Sequence, residues 1–311
     1  MSRTLACPTP LYTDAYMQKI LLQPLIGLVN ILSLILITII ISICIYCLAL
    51  VSICLPTRIR FNVMQFTQKM PVFWMDGILF MFRLTGIATW QCDGPPLHSK
   101  LPQLLICNHR SWVDILIISA LTHRKTPPLR FFLKKQLLYT LPFAGLATLI
   151  LKYPFMSRYT KSQIRKKPYL KDHDLKTTQT ACKNFQRYPA TIVNFVEGTR
   201  FSRKKSQQKK SPYQHLLPPK SAGIATVLGL MQNQIGGIID VTLVYDNAPV
   251  SFWRFCCGQQ KKILCLYQYL PITTDLIGDY RQDRNFRRRF QAWLNERWQL
   301  KDQIIEEHQQ Q

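Results

Sequence analysis

His109 and Asp114 stand five residues apart in the segment Asn108-His109-Arg110-Ser111-Trp112-Val113-Asp114. Inside one helix their side chains would diverge by about 140°, at 3.6 residues per turn. The preceding run, Leu104-Leu105-Ile106-Cys107, reads as a buried strand, and Ser111 to Leu121 reads as a helix with Ser111 as its N-cap. His109 then falls in the strand-to-helix loop and Asp114 in the first helical turn. From there the carboxylate folds back and accepts a hydrogen bond from the imidazole. A base paired with an acid that fixes its tautomer is an arrangement for removing a proton from a hydroxyl. Taken alone, the spacing more often means a loop histidine beside a helix-capping aspartate.

A second segment, Phe195-Val196-Glu197-Gly198-Thr199-Arg200, closes the apolar run Thr191 to Val196. A glycine, a hydroxyl and an arginine at a strand end offer backbone donors and a guanidinium to a phosphate. The same residues would also make a tight turn with a surface arginine.

The elements that must position these residues follow a strand–helix alternation. Residues 62–90 carry helical periodicity, and Asp93-Gly94-Pro95-Pro96 is a turn. Leu129 to Leu133 reads as a strand, Thr178 to Gln186 as a helix, Ala222 to Leu230 as a helix and Ile238 to Tyr245 as a strand. Residues 201–213 are basic and polar and read as a mobile loop. Strands alternating with helices predict an α/β fold, a mainly parallel sheet flanked by helices. Sites in such sheets gather at the carboxyl ends of strands, where both segments fall.

The N-terminal part is of another kind. No charged residue occurs from Ile20 to Thr57, more than the roughly 20 apolar residues one span requires. It is also too long for the apolar core of a signal peptide. The reading is a transmembrane or membrane-anchoring helical segment over residues 1–57, as one long helix or a hairpin broken near Gly27–Asn30. Residues 58–311 form the body. Arg58, Arg60 and Lys69 follow the apolar run and place that body in the cytoplasm by the positive-inside rule. A second apolar stretch, Leu137 to Leu151, is interrupted by Pro142 and Gly145 and fits a core helix or a partly immersed element.

Formal net charge is +24, and nearly all of it lies after residue 57. Such a body seeks a polyanion: an anionic membrane surface, a phosphorylated substrate or nucleic acid. Arg287-Arg288-Arg289 stand among Phe286, Phe290, Trp293 and Trp298, the pattern of a basic amphipathic helix, for membrane attachment or for packing its aromatics on the domain. Among the ten cysteines, Cys44 and Cys47 form a C-x-x-C, but inside the apolar run and with no second pair; the cysteines read as reduced thiols, so no metal is expected.

Asn-His-x4-Asp followed some 80–90 residues later by Phe-x-Glu-Gly-Thr-Arg resembles the glycerophospholipid (lysophosphatidic-acid-type) acyltransferase family. The likeness extends through Phe132-Leu133-Lys134, Leu141 to Gly145, Phe155 to Arg158, Leu216 to Gly223 and Asp240 to Tyr245. It is strongest towards bacterial inner-membrane members over residues 101–300. The resemblance implies a glycerol-phosphate-acyltransferase-like fold at the inner membrane, with the catalytic domain on the cytoplasmic face. It implies His109 as general base and Asp114 as its orienting partner. It implies an acceptor site drawn from Asn108, Lys134, Arg158, Glu197, Gly198, Thr199, Arg200 and Lys220. The co-substrate would be acyl-CoA or an acyl carrier protein, the acceptor a lysophospholipid, most readily 1-acylglycerol-3-phosphate, with no further cofactor. Three departures stand out: Arg110 where the family often has Gln, Phe201 where Ser often follows the arginine, and no proline in Val241–Tyr245. The rivals are a membrane-tethered nucleic-acid binder, which the charge favours but no binding signature supports, and an inert scaffold. No nucleic acid is expected as a partner.

Overall fold

The computed structural model describes residues 10–310, apart from 88–89, 158, 160, 247–249 and 261. The chain opens with α1 (Pro10–Ile53), followed by α2 (Thr57–Thr67) and α3 (Met70–Leu84). The helical tract after residue 57 is therefore two helices, broken at Gln68–Lys69 where Pro71 starts the second. Then come β1 (Trp90–Asp93), β2 (Gln103–Cys107), α4 (Val113–Thr122), β3 (Leu129–Phe131), β4 (Leu133–Lys134), α5 (Leu137–Thr140), α6 (Ala144–Ile150) and β5 (Phe155–Met156). The rest is α7 (Lys161–Lys166), α8 (His173–Arg187), β6 (Thr191–Phe195), α9 (Arg203–Gln208), α10 (Ser221–Met231), β7 (Ile238–Tyr245), α11 (Phe252–Cys256), β8 (Ile263–Leu270) and α12 (Arg284–Gln310).

Six strands form one sheet in the order β1-β8-β7-β2-β6-β3, parallel except where β7 meets β8. β2 and β7 are buried along their whole length, as a sheet covered on both faces requires. One face packs on α8, α10 and α12 through Leu104, Ile192, Val227 and Phe290. The other packs on α3, α4 and α11 through Leu105, Ile117, Phe82 and Phe255. β4 and β5 pair separately as a two-stranded sheet at the side.

α1 is one unbroken helix through Gly27–Asn30, which decides between the two shapes its sequence allowed. Leu22–Ile53 is long and apolar enough to cross a membrane. It also packs along the body. Ile26, Ile31, Leu34 and Ile37 pack on the core, and its few polar residues add hydrogen bonds: Asn30 donates to Cys256 O at 3.0 Å and accepts from Thr85, and Thr38 accepts from Trp74 Nε1 at 3.0 Å. Leu25, Leu32, Leu36, Ile40 and Ile43 on its other side stay exposed.

One sequence expectation changes, and two readings left open are decided. Residues 201–213 contain a helix, α9, capped by the Ser202 hydroxyl, rather than a plain loop. The Leu137–Leu151 stretch is two short helices, the second of which packs on α1 through Ala147 and Leu151, while Tyr139, Phe143, Leu146 and Leu149 face outward. The aromatic stripe of α12 is core. Phe286, Phe290, Leu294, Trp298 and Ile305 are buried at near-helical spacing, and Arg287, Arg288 and Arg289 face solvent.

Candidate active site

The parallel register of β2 and β6 sets Cys107 opposite Phe195, so the loops that follow leave the sheet side by side. His109 begins one loop and Glu197 lies in the other. Gly198 turns its loop at φ +70°, where a Cβ is disfavoured and would also lie 3.3 Å from Lys220 Nζ. The Phe201 N–H donates to His109 O at 2.7 Å and ties the two loops together.

His109 Nδ1 lies 2.7 Å from Asp114 Oδ2. The same oxygen accepts the backbone N–H groups of Arg110 at 2.7 Å and Ser111 at 2.9 Å. Asp114 Oδ1 accepts the Tyr245 hydroxyl at 2.5 Å. Backbone N–H groups only donate, so the carboxylate is an acceptor on every side and Nδ1 must carry its proton. The imidazole lone pair then sits on Nε2. The ring is further held by stacking on Phe195, centroids 3.9 Å apart. Asp114 is fully buried, whereas the His109 side chain keeps 16% of its surface. The N-cap of α4 is Trp112 rather than Ser111, whose hydroxyl instead accepts the Val113 N–H.

His109 borders a cavity of about 810 Å³. Its walls are apolar: Ile41 and Ile45 from α1, Val72 and Met75 from α3, Ile115 from α4, and Leu137, Leu141, Ala147 and Leu151 from the α5–α6 region. Lys134, Gly198, Thr199 and Arg200 also line it. Arg200 is exposed, its guanidinium 5.1 Å from the Trp112 ring centroid. The Thr199 hydroxyl accepts from Lys205 Nζ at 3.0 Å. The cavity thus joins a long greasy compartment to a rim carrying a histidine and cations.

Of the residues singled out in the sequence, the cavity gathers His109, Lys134, Gly198, Thr199 and Arg200. Asn108 and Glu197 do different work from the ligand contact expected of them. Asn108 is fully buried, and its amide both donates to Leu243 O at 2.9 Å and accepts from Leu243 N at 2.8 Å, clasping β2 to β7. Glu197 is also fully buried and accepts the N–H groups of His109 and Leu217 at 3.2 and 3.1 Å. Burial outweighs those donors and pushes its carboxyl up to about 8. Lys220 is exposed beside Gly198. Arg158 lies outside the described residues. Tyr245 is the functional residue the sequence reading passed over: it sat in a matching strand, yet its hydroxyl completes the Asp114 cage. Two of the departures from the family pattern also meet, with the Arg110 guanidinium 4.9 Å from the Phe201 ring centroid.

Residues 91–245, about half of the chain, match the family model described as Acyltransferase. The chain belongs to the acyltransferase family. It is similar to the 1-acyl-sn-glycerol-3-phosphate acyltransferase epsilon of Mus musculus, with 22% identity over 277 residues, 82% of this chain and 70% of that one. The crystal structure of the 1-acyl-sn-glycerophosphate (LPA) acyltransferase PlsC from Thermotoga maritima has the same fold. Its TM-score is 0.56 at 12% identity, over 93% of this chain and 97% of that one. This acyltransferase therefore carries its family's sheet, and the matched region contains His109, Asp114, Glu197 to Arg200 and Tyr245.

Proposed function

We propose that this acyltransferase is membrane-bound and moves an acyl chain from acyl-CoA or an acyl carrier protein to the free hydroxyl of a lysophospholipid, most readily 1-acylglycerol-3-phosphate, giving phosphatidic acid. The observation that carries the reading is the His109–Asp114 pair, at 2.7 Å, on the rim of an apolar cavity of about 810 Å³ beside Arg200 and Lys134. The apolar walls suit an acyl chain. Arg200 and Lys134, with Lys220 beside Gly198, suit a phosphate, and the family resemblance adds Arg158 to them.

His109 Nε2 takes the proton of the glycerol hydroxyl as its oxygen attacks the thioester carbonyl. Asp114 steadies the imidazolium that forms. The tetrahedral intermediate collapses, the carbon–sulfur bond breaks, and the departing thiolate takes the proton from His109. An ester and a free thiol result.

Residues 1–57 act as the anchor and 58–311 as the cytoplasmic catalytic domain. The likeness of Ile106 to Trp112 to the inner-membrane acyltransferase YihG supports a place at the cell inner membrane. The exposed apolar side of α1 supports membrane attachment, and the basic body supports docking on anionic lipid. The test is a panel of lysophospholipids, each offered to the purified protein with labelled acyl-CoA and, in a parallel set, with labelled acyl-acyl carrier protein. Incorporation into lysophosphatidic acid above the choline and ethanolamine acceptors supports the reading. Equal incorporation into all of them would reject the acceptor, and incorporation into none would reject the class.

A further inference from the structure

β1 is the edge strand of the sheet, paired to β8 alone, and its register sets Cys92 directly beside Cys265. Adjacent strands lie about 4.7–4.9 Å apart, inside the roughly 4.4–6.8 Å range of Cα separations that a disulfide spans. Directly paired residues of adjacent strands point to the same face of a sheet, so the two thiols share one face. Cys92 is exposed, while Cys265 is fully buried behind it.

We propose that Cys92 and Cys265 form a redox-active thiol pair, in which Cys92 attacks a small-molecule disulfide and Cys265 resolves the product. An exposed attacking cysteine backed by a second thiol is the arrangement that permits this chemistry. The surroundings agree. The neighbouring Cys265 thiol and the positive charge of Lys125 draw the Cys92 thiol below its ordinary range. Burial has the opposite effect elsewhere, pushing Cys182 and Cys256 up to about 12.

The exchange balances. The Cys92 thiolate attacks one sulfur of the small disulfide, and a first small thiolate leaves. Cys265 then releases its proton to solvent and attacks the Cys92 sulfur, and a second small thiolate leaves. Two protein thiols are oxidised and one small disulfide is reduced to two thiols. The neighbouring Cys92 thiol and burial hold the Cys265 thiol high.

The pair also has a place in the site's framework. Cys265 is the antiparallel partner of Leu243, whose backbone Asn108 clasps from both sides, one residue before His109. A cross-link would tie the sheet edge to the row that ends at the histidine.

The test uses the full chain in detergent, equilibrated with graded ratios of oxidised to reduced glutathione, then alkylated, digested and weighed. The expected result is a Cys92–Cys265 linked peptide at ratios that leave Cys44, Cys47 and Cys54 alkylated. Cys265→Ser should hold glutathione on Cys92, and Cys92→Ser should yield neither product. Absence of the linked peptide from the wild type, or modification of Cys92 no sooner than Cys54, would overturn the proposal. The wild-type measurement decides the matter even where a variant folds poorly, and it does not depend on what the enzyme acylates.

Discussion

The two loops that meet at His109 are built on opposite terms. The loop after β2 is closed. Asp114 is fully buried, and His109, two backbone N–H groups and the Tyr245 hydroxyl surround its carboxylate. The loop after β6 is open beyond Glu197. Arg200 and Lys220 reach into solvent, and Thr199 is met by a lysine. The difference teaches where each kind of energy lies. The proton-handling side is preorganised, so its geometry costs nothing at the moment of reaction. The ligand side is a set of long cationic arms that can adjust to a head group. Substitutions on the first side should therefore lower kcat, and those on the second should raise KM.

The largest effect is expected from His109→Ala. Loss of a positioned general base should lower kcat by about 10²- to 10⁴-fold, as measured by labelled acyl transfer at saturating substrate with the thermal melt unchanged. A near-normal kcat would break the comparison at its root. Tyr245→Phe comes next. It removes a hydrogen bond to a charged group, of about 1.5–3 kcal/mol, and should lower kcat by about tenfold or more with KM held. An unchanged kcat would mean that the Asp114 cage does not need its fourth member. Arg200→Ala should raise the acceptor KM by about tenfold, by loss of a charge-assisted contact, and leave kcat within about twofold. A fall in kcat alone would move Arg200 to the chemical side.

The smallest effect concerns stability. The Glu197 carboxyl is raised from an ordinary 4.5 to about 8 by burial. Between those values the folded chain holds a proton that the unfolded chain has released. This group therefore makes stability fall as pH rises across that window. Calorimetry should give a melting temperature that declines from pH 5 to pH 8, and more gently in Glu197→Gln. An identical decline in both would remove Glu197 from the account.

Much of this was legible in the residue order, for identifiable reasons. β2, β6 and β7 are short apolar runs that stop abruptly, and both loops begin where the runs stop. The two-residue gap between α2 and α3 was hidden because apolar periodicity resumes across it. β1 and α9 were missed because neither has a face to bury: β1 is an exposed edge, and α9 is Arg203–Gln208, held by its cap. The resemblance puts Asn108 and Glu197 in the acceptor site, and a polar residue at a strand end does not declare which way it turns. Both turn inward to backbone groups. Tyr245 could not be read at all, since its contact with Asp114 joins residues 131 apart and depends on how β7 lies beside β2.

A double-mutant cycle tests the central claim that His109 and Asp114 act as one unit. Single His109→Ala, single Asp114→Asn and the pair together are compared by kcat for acyl transfer. Residues that act as a unit are strongly non-additive. The pair should lose no more than His109→Ala alone. Losses that multiply would show two independent contributions and contradict the dyad.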